Sequence, residues 1–259
     1  MKKLDRKFVN KVVQIAKEAG LIVMQIYNKP FTFQRKRDSS PVTKADLLSE
    51  KFISSSLQKL TTKIPVIAEE SFSIKKNSRQ LKKTFWLVDP LDGTKEFISK
   101  NGQFTINIGL IKNGKPIFGV IHAPAKKSTF FGLVKEKSAY QNSGRSFKKM
   151  TIRKKTKSGP MFALSRSHGK GKKLKSFLSK VKSYKKIEMG SALKFCLVAS
   201  GRADIYPRFS PTMEWDTAAG QAILEAAGRQ VTDIKGKKLS YGKKGYKNPH
   251  FIASSGRRK

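Results

Sequence analysis

The chain has 259 residues, 38% of them apolar, enough to bury one large core or two modest ones that share an interface. Lysine and arginine number 56 against 17 acidic residues, a net charge of +39, so nonspecific, salt-sensitive adhesion to polyanions is expected; with the basic residues spread from end to end and no zinc-finger or aromatic-basic motif, no specific nucleic-acid binding is. No run of 18 or more uncharged apolar residues is present and Met1 to Asn10 carries charges where a signal peptide needs an apolar centre, so a cytoplasmic protein is expected.

Leu4, Phe8, Val12, Ile15, Ala16, Ala19, Ile22, Val23 and Ile26 recur at helical spacing and predict a long amphipathic first helix that stops before Asn28-Lys29-Pro30. After the polar loop Arg35 to Ser40, Thr43 with Asp46 three residues on predicts a second helix start. Short apolar runs of β character follow at Pro65 to Ala68, Phe85 to Val88, Phe104 to Ile111, Ile117 to Ile121 and Thr129 to Val134, with Asn113-Gly114 joining two of them as a hairpin. Beyond the basic stretch Arg153 to Ser158 come a strand at Met161 to Leu164, a helix from Lys173 to Val181, a helix from Ala192 to Ser200, a strand at Ala203 to Tyr206 and an Ala-rich helix from Trp215 to Ala227. The expected organisation is an α+β part, residues 1–154, and an α/β part, residues 155–259, without a flexible linker. The lone cysteine, Cys196, lies in an apolar run, which excludes a disulfide framework and predicts a buried thiol.

Six of the scarce acidic residues sit at the ends of predicted elements: Asp46, Glu69, Glu70, Asp89, Asp92 and Asp216. Asp89-Pro90-Leu91-Asp92-Gly93-Thr94 follows directly on an apolar strand, which puts two carboxylates at a strand's C-terminal edge, where α/β proteins bind ligands. Hard cations such as Mg²⁺ take oxygen ligands, and carboxylates presented from one tight turn can bridge two ions about 4 Å apart. Gly93 removes side-chain bulk, so N–H groups at a helix start there could approach a phosphate, and Thr94 offers a hydroxyl to orient water. Each piece alone has a structural reading as well: Asp89 to Gly93 as a solvated turn with a helix cap, Glu69-Glu70 as a loop pair that wants a cation or a basic partner, Asp216 and Asp46 as helix caps.

Together, Ser40-Pro41-Val42-Thr43-Lys44-Ala45-Asp46, Glu69-Glu70-Ser71, Trp86 to Ile98 and Glu214-Trp215-Asp216-Thr217-Ala218-Ala219-Gly220 resemble, in order and over nearly the whole chain, the inositol monophosphatase-like superfamily. Lys95-Glu96-Phe97 after Asp92-Gly93-Thr94 is similar to the 3'(2'),5'-bisphosphate nucleotidase branch known as CysQ, as are Ser165-Arg166-Ser167-His168, Gly190 to Lys194 and Tyr206-Pro207-Arg208; Ala192 and the polar Lys135 to Ser138 depart from the usual pattern. The resemblance implies a layered α-β-α-β-α sandwich of the inositol monophosphatase and fructose-bisphosphatase type. It implies two or three Mg²⁺ ions held by Glu69, Asp89, the Leu91 carbonyl, Asp92 and Asp216, with Asp46 supporting a further metal or its water, and a water oriented and deprotonated by Glu69 and Thr94. The implied substrate is adenosine 3',5'-bisphosphate, cleaved to AMP and phosphate in the recycling branch of sulfate assimilation. Leu91, Asp92, Gly93, Thr94, Gly190 and Asp216 would face the substrate, and Ser167, His168, Lys194 and Arg208 its nucleotide end and second phosphate.

An inositol or other sugar phosphatase of the same fold would share the metal residues but not the nucleotide contacts. A non-catalytic polyanion- or RNA-binding protein would explain the charge, but clustered carboxylates repel phosphate unless metals intervene. A loose hold on the anionic cytoplasmic face of an inner membrane is a weaker expectation from the same charge; both monomer and homodimer fit the sequence.

Overall fold

The structure is a computed structural model and describes residues 4–36, 41–73, 83–142, 146–150, 159–166 and 171–256. Helix α1 (Arg6–Tyr27) opens on Asp5, whose side chain accepts the Phe8 N–H at 2.8 Å, and buries its apolar stripe from Val9 to Val23. Strands β1 (Phe33–Arg35) and β2 (Pro41–Thr43) pair antiparallel and lead into α2 (Lys44–Leu60), which starts with a reciprocal capping box between Thr43 and Asp46.

Then come β3 (Val66–Ala68), β4 (Thr84–Asp92), α3 (Thr94–Ile98), β5 (Thr105–Lys112), β6 (Lys115–Ala123), β7 (Ser128–Leu133), β8 (Ser138–Asn142) and β9 (Lys148–Lys149). The seven strands β3 to β9 form one sheet in chain order, antiparallel except for β3 beside β4. Strand β4 is buried on both faces, with Trp86 and Val88 toward the α1–α2 side and Phe85 and Leu87 toward the other.

The rest of the chain supplies β10 (Met161–Ser165), α4 (Lys172–Leu178), β11 (Lys185–Met189), α5 (Leu193–Ala199), β12 (Ile205–Arg208), α6 (Glu214–Ala226), β13 (Gln230–Asp233) and β14 (Phe251–Ser254). Its five strands form a second sheet in the order β11-β10-β12-β14-β13. Helices α1 and α2 cover the outer face of the first sheet, α5 and α6 fill the space between the sheets, and Leu174 and Phe177 of α4 pack on Phe162 and Leu164 outside the second. This is the α-β-α-β-α layering that the family resemblance implied.

Helix α6 lies against the first sheet at backbone distance. Gly109, Gly119 and Gly132 stand opposite one another on β5, β6 and β7. A Cβ would fall 2.7 Å from the Ala218 Cβ at Gly109, 2.5 Å from the Ala219 carbonyl oxygen at Gly119 and 2.6 Å from the Ile223 Cα at Gly132. The row of glycines is a groove for the helix, and it fixes how far Asp216, in the first turn of α6, stands from the end of β4.

Two sequence expectations need correction. Asp89 to Asp92 is no free turn: β4 continues through Asp92, which pairs with Thr105, and a shift of pairing between Asp89 and Asp92 makes the bend. Strands β1, β2, β8, β9, β11, β13 and β14 were not predicted; they are short, and β11 carries exposed Lys185, Lys186 and Glu188 at a sheet edge, so it lacks an apolar signature. The Asn113-Gly114 hairpin forms, both residues with positive φ. Cys196 is buried. The stretch Arg153 to Ser158, where the boundary between the two parts was expected, lies outside the described residues. No helix among the described residues is long and apolar enough to cross a membrane.

Candidate active site

Three carboxylates from three distant segments meet beside the bend of β4. Glu69 is the first residue past β3, its N–H donating to the Val88 carbonyl at 3.2 Å. Asp89 is 1% exposed and opposite Asn107 on β5. Asp216 is the third residue of α6, where its Oδ2 accepts the Met213 N–H at 2.8 Å. One carboxylate oxygen from each of Glu69, Asp89 and Asp216 lies within 4.8 Å of the others. The cap reading of Asp216 and the cluster reading are therefore both realised by one side chain.

Asp92 stands beside this trio with one oxygen already engaged. Its Oδ2 accepts the Ala192 N–H at 2.5 Å and the Asn107 amide at 3.3 Å. Gly93 adopts φ 93°, a conformation that favours glycine, and a Cβ there would be a tight 3.2 Å from the Gln103 carbonyl. It caps α3, whose first residue, Thr94, donates its hydroxyl hydrogen to Asp46 Oδ1 at 3.1 Å, with the Leu91 carbonyl at 3.3 Å as the second acceptor within reach.

Glu69, Asp89, Leu91, Asp92, Gly93, Thr94, Lys194, Arg208 and Asp216 all line one cleft. Asp46 stands behind it, reaching it through Thr94. Gly190 also lies outside the lining: its N–H donates to the Gln103 side chain at 2.8 Å and a Cβ would collide with Glu96. Ser167 and His168 lie outside the described residues. Lys194 is only 2% exposed, and its ammonium donates to the Met189 and Ser191 carbonyls at 3.1 and 2.6 Å, so it is no solvated helix position. Arg208 donates to the Pro211 carbonyl at 3.4 Å, and its buried Nε has no protein partner.

Burial is the first cause of every titration shift here. It pushes Asp89 well above the usual carboxylate range, and the charges of Glu69, Asp92 and Asp216 push further. Asp216 rises in the same way, through burial and then Asp92 and Glu69. Asp92 is also raised by burial, with Lys194 and the hydrogen bonds from Asn107 and Ala192 pulling back; Asp46 is raised by burial against the bonds from Thr43 and Thr94. Burial takes Lys194 down to about 8 despite Asp92 nearby. Crowded, buried, like-charged oxygen donors are the chemistry of a hard divalent-cation site, and this set fits one.

Sequence reasoning missed several supporting residues. Lys36 reaches Glu69 at 2.9 Å and Glu70 at 2.6 Å, the basic partner that the Glu pair wanted. Glu70 is still raised to about 7 by burial, Lys36 opposing. Ser49 donates to the Pro90 carbonyl at 2.9 Å, and Glu50 accepts the Glu70 N–H at 2.6 Å. These two were findable, because they follow Asp46 by three and four residues and so share its helix face.

The profile of the inositol monophosphatase family matches residues 5–258. The 3'(2'),5'-bisphosphate nucleotidase CysQ of Salmonella typhimurium is 44% identical over 249 residues, covering 94% of this chain and 98% of that protein. The protein of the same name from Escherichia coli K12 is 42% identical over 252 residues, covering 95% and 99%. Among solved structures, the crystal structure of CysQ from Bacteroides thetaiotaomicron, described as a bacterial member of the inositol monophosphatase family, superimposes with a TM-score of 0.83 at 36% identity, over 96% of this chain and 97% of that one. Fold, carboxylate cluster and relatives agree, and the chain belongs to the inositol monophosphatase family.

Proposed function

We propose that this protein is a magnesium-dependent 3'(2'),5'-bisphosphate nucleotidase that hydrolyses adenosine 3',5'-bisphosphate to AMP and phosphate. The carrying observation is the convergence of Glu69, Asp89 and Asp216 in a cleft that also contains Lys194 and Arg208. The carboxylates suit cations that grip the scissile phosphate, and the two basic residues suit a phosphate that is bound and not cleaved. The name shared by the 42–44% identical relatives supports the nucleotide over an inositol phosphate.

In this reading Glu69, Asp89, the Leu91 carbonyl, Asp92 and Asp216 hold two Mg²⁺ ions, and Asp46 supports a third or its water. The ions, when bound, supply Lewis acidity: easier ionisation of water and neutralised charge on the phosphoryl oxygens. Thr94 Oγ1, its hydrogen committed to Asp46, turns a lone pair toward the attacking water, and Glu69 takes up the proton. Water oxygen bonds to phosphorus as the phosphorus–ribose oxygen bond breaks in line, with no phosphoenzyme; the ribose alkoxide takes a proton from solvent, and Glu69 returns its own to solvent. Gly93 gives the backbone close approach to the substrate, while Gly190, outside the lining, lets Glu96 and Gln103 pack behind it. Lys194, with one N–H left beyond its two carbonyl bonds, joins Arg208, Ser167 and His168 at the nucleotide end and second phosphate. A role in sulfate assimilation, a division into subdomains 1–154 and 155–259, a monomer or homodimer and a weak electrostatic hold on anionic lipid belong to the same reading.

The test is a substrate panel with Mg²⁺. Phosphate release from adenosine 3',5'-bisphosphate should far exceed that from inositol 1-phosphate, and the reverse order would replace this assignment with a sugar phosphatase.

A further inference from the structure

The three clustered carboxylates are not equally well held. Asp89 sits within β4, paired to β5, and Asp216 within the first turn of a 13-residue helix with one oxygen on the Met213 N–H. Glu69 is one residue beyond a three-residue strand at the sheet edge, and residues 69 to 73 belong to no helix or strand. The Glu69 N–H is held by the Val88 carbonyl at 3.2 Å, but the chain beyond it has no such ladder, and Lys36 draws the Glu69 side chain toward Glu70.

A single helix turn opposes that pull. Asp46, Ser49 and Glu50 project from one face of α2 and touch both segments beside the cleft, the Asp89–Thr94 stretch through Thr94 and the Pro90 carbonyl, and the segment after β3 through the Glu70 N–H. The Glu50 contact is charge-assisted, 2.6 Å long and shielded, with Glu50 itself 6% exposed. At the other end of the segment, the Phe72 ring packs on Trp215, next to Asp216, with centroids 5.1 Å apart, and on Tyr246 at 5.2 Å.

We infer that Glu50 is a positioning residue for the cation centre: by pinning the Glu70 N–H it sets where Glu69 stands relative to Asp89 and Asp216. The inference rests on the cation reading above, and the test separates the two. Free Mn²⁺, a paramagnetic stand-in for Mg²⁺, is counted by electron paramagnetic resonance as it titrates the wild-type protein, Glu50→Gln, Glu50→Asp and Glu50→Ala. Loss of an outer-shell partner weakens metal binding by roughly 10- to 100-fold. That loss is expected for Glu50→Ala, and for Glu50→Asp, which keeps the charge but falls short of the N–H. Glu50→Gln, which keeps the reach and a carbonyl acceptor, should bind Mn²⁺ within about threefold of wild type. If Glu50→Ala does not fold, the Asp and Gln pair decides alone. Wild-type affinity in Glu50→Asp with weak binding in Glu50→Gln would show that charge and not reach matters, and would overturn the inference. Equal affinity in every variant would overturn it too. A wild-type protein that binds no Mn²⁺ would instead overturn the cation centre.

Discussion

Asp89 and Asp216 are held against Glu69 in a setting that favours their neutral forms, so their charges disfavour the folded state, and a cation bound among them would relieve that cost. The cost falls on the folded state near neutral pH, because each group prefers to ionise and does so freely in the unfolded chain. Asp89→Asn removes one of the crowded charges. Turnover should fall by more than the roughly 100-fold that marks the loss of an outer partner, while chelator-treated protein becomes more resistant to urea than the wild type. A variant no more stable than wild type without metal would mean that the repulsion is absent. These carboxylates were legible because acidic residues are rare in this chain and stand at element ends. Lys36 was not, since one lysine among so many carries no signal and its partners lie 33 and 34 positions away.

At the scale of elements, the site depends on how closely α6 approaches the first sheet. Gly119→Ala would put a methyl 2.5 Å from the Ala219 carbonyl oxygen and 2.7 Å from its Cα, where only backbone movement makes room. We expect a loss of about 1–3 kcal/mol in urea unfolding, with weaker Mn²⁺ binding as Asp216 shifts with its helix. Gly171→Ala, with φ −70° and nothing within 4 Å, is the control and should stay within about 0.5 kcal/mol of wild type. Unchanged stability and Mn²⁺ affinity in Gly119→Ala would show that the helix has slack. The long helices and the central strands of the first sheet were readable from their periodicity, whereas β13 and β14 were passed over as short runs in a polar, Lys-rich tail. The glycine row could not be read at all. Its members belong to three strands, and only the pairing register aligns them.

For the molecule as a whole, the folded state refuses a proton that the unfolded chain accepts. His122 on β6 is 8% exposed, with Nδ1 2.9 Å from the Thr129 hydroxyl, and burial, then Lys17, lowers it from its usual 6.5 to about 4. Its contribution to stability is present above pH 6.5 and drains away as pH falls toward 4, about 2 kcal/mol by pH 5. The raised Asp89 and Asp216 work in the opposite direction, so the comparison must be with His122→Gln, whose urea midpoint at pH 5, relative to its own value at pH 7, should lie higher than that of the wild type. Parallel pH curves for the two proteins would leave His122 without that role.

Helix α6 has a further consequence, one of timing. Glu69, Asp89 and Asp92 leave the ribosome early, but Asp216 follows only after most of the second sheet has been made. A nascent or truncated chain lacking α6 has the first sheet's strands and an open-sided set of acids, without the residue that closes it. At the proposed site, cation capture would therefore report on completion, waiting until α6 has settled into its groove.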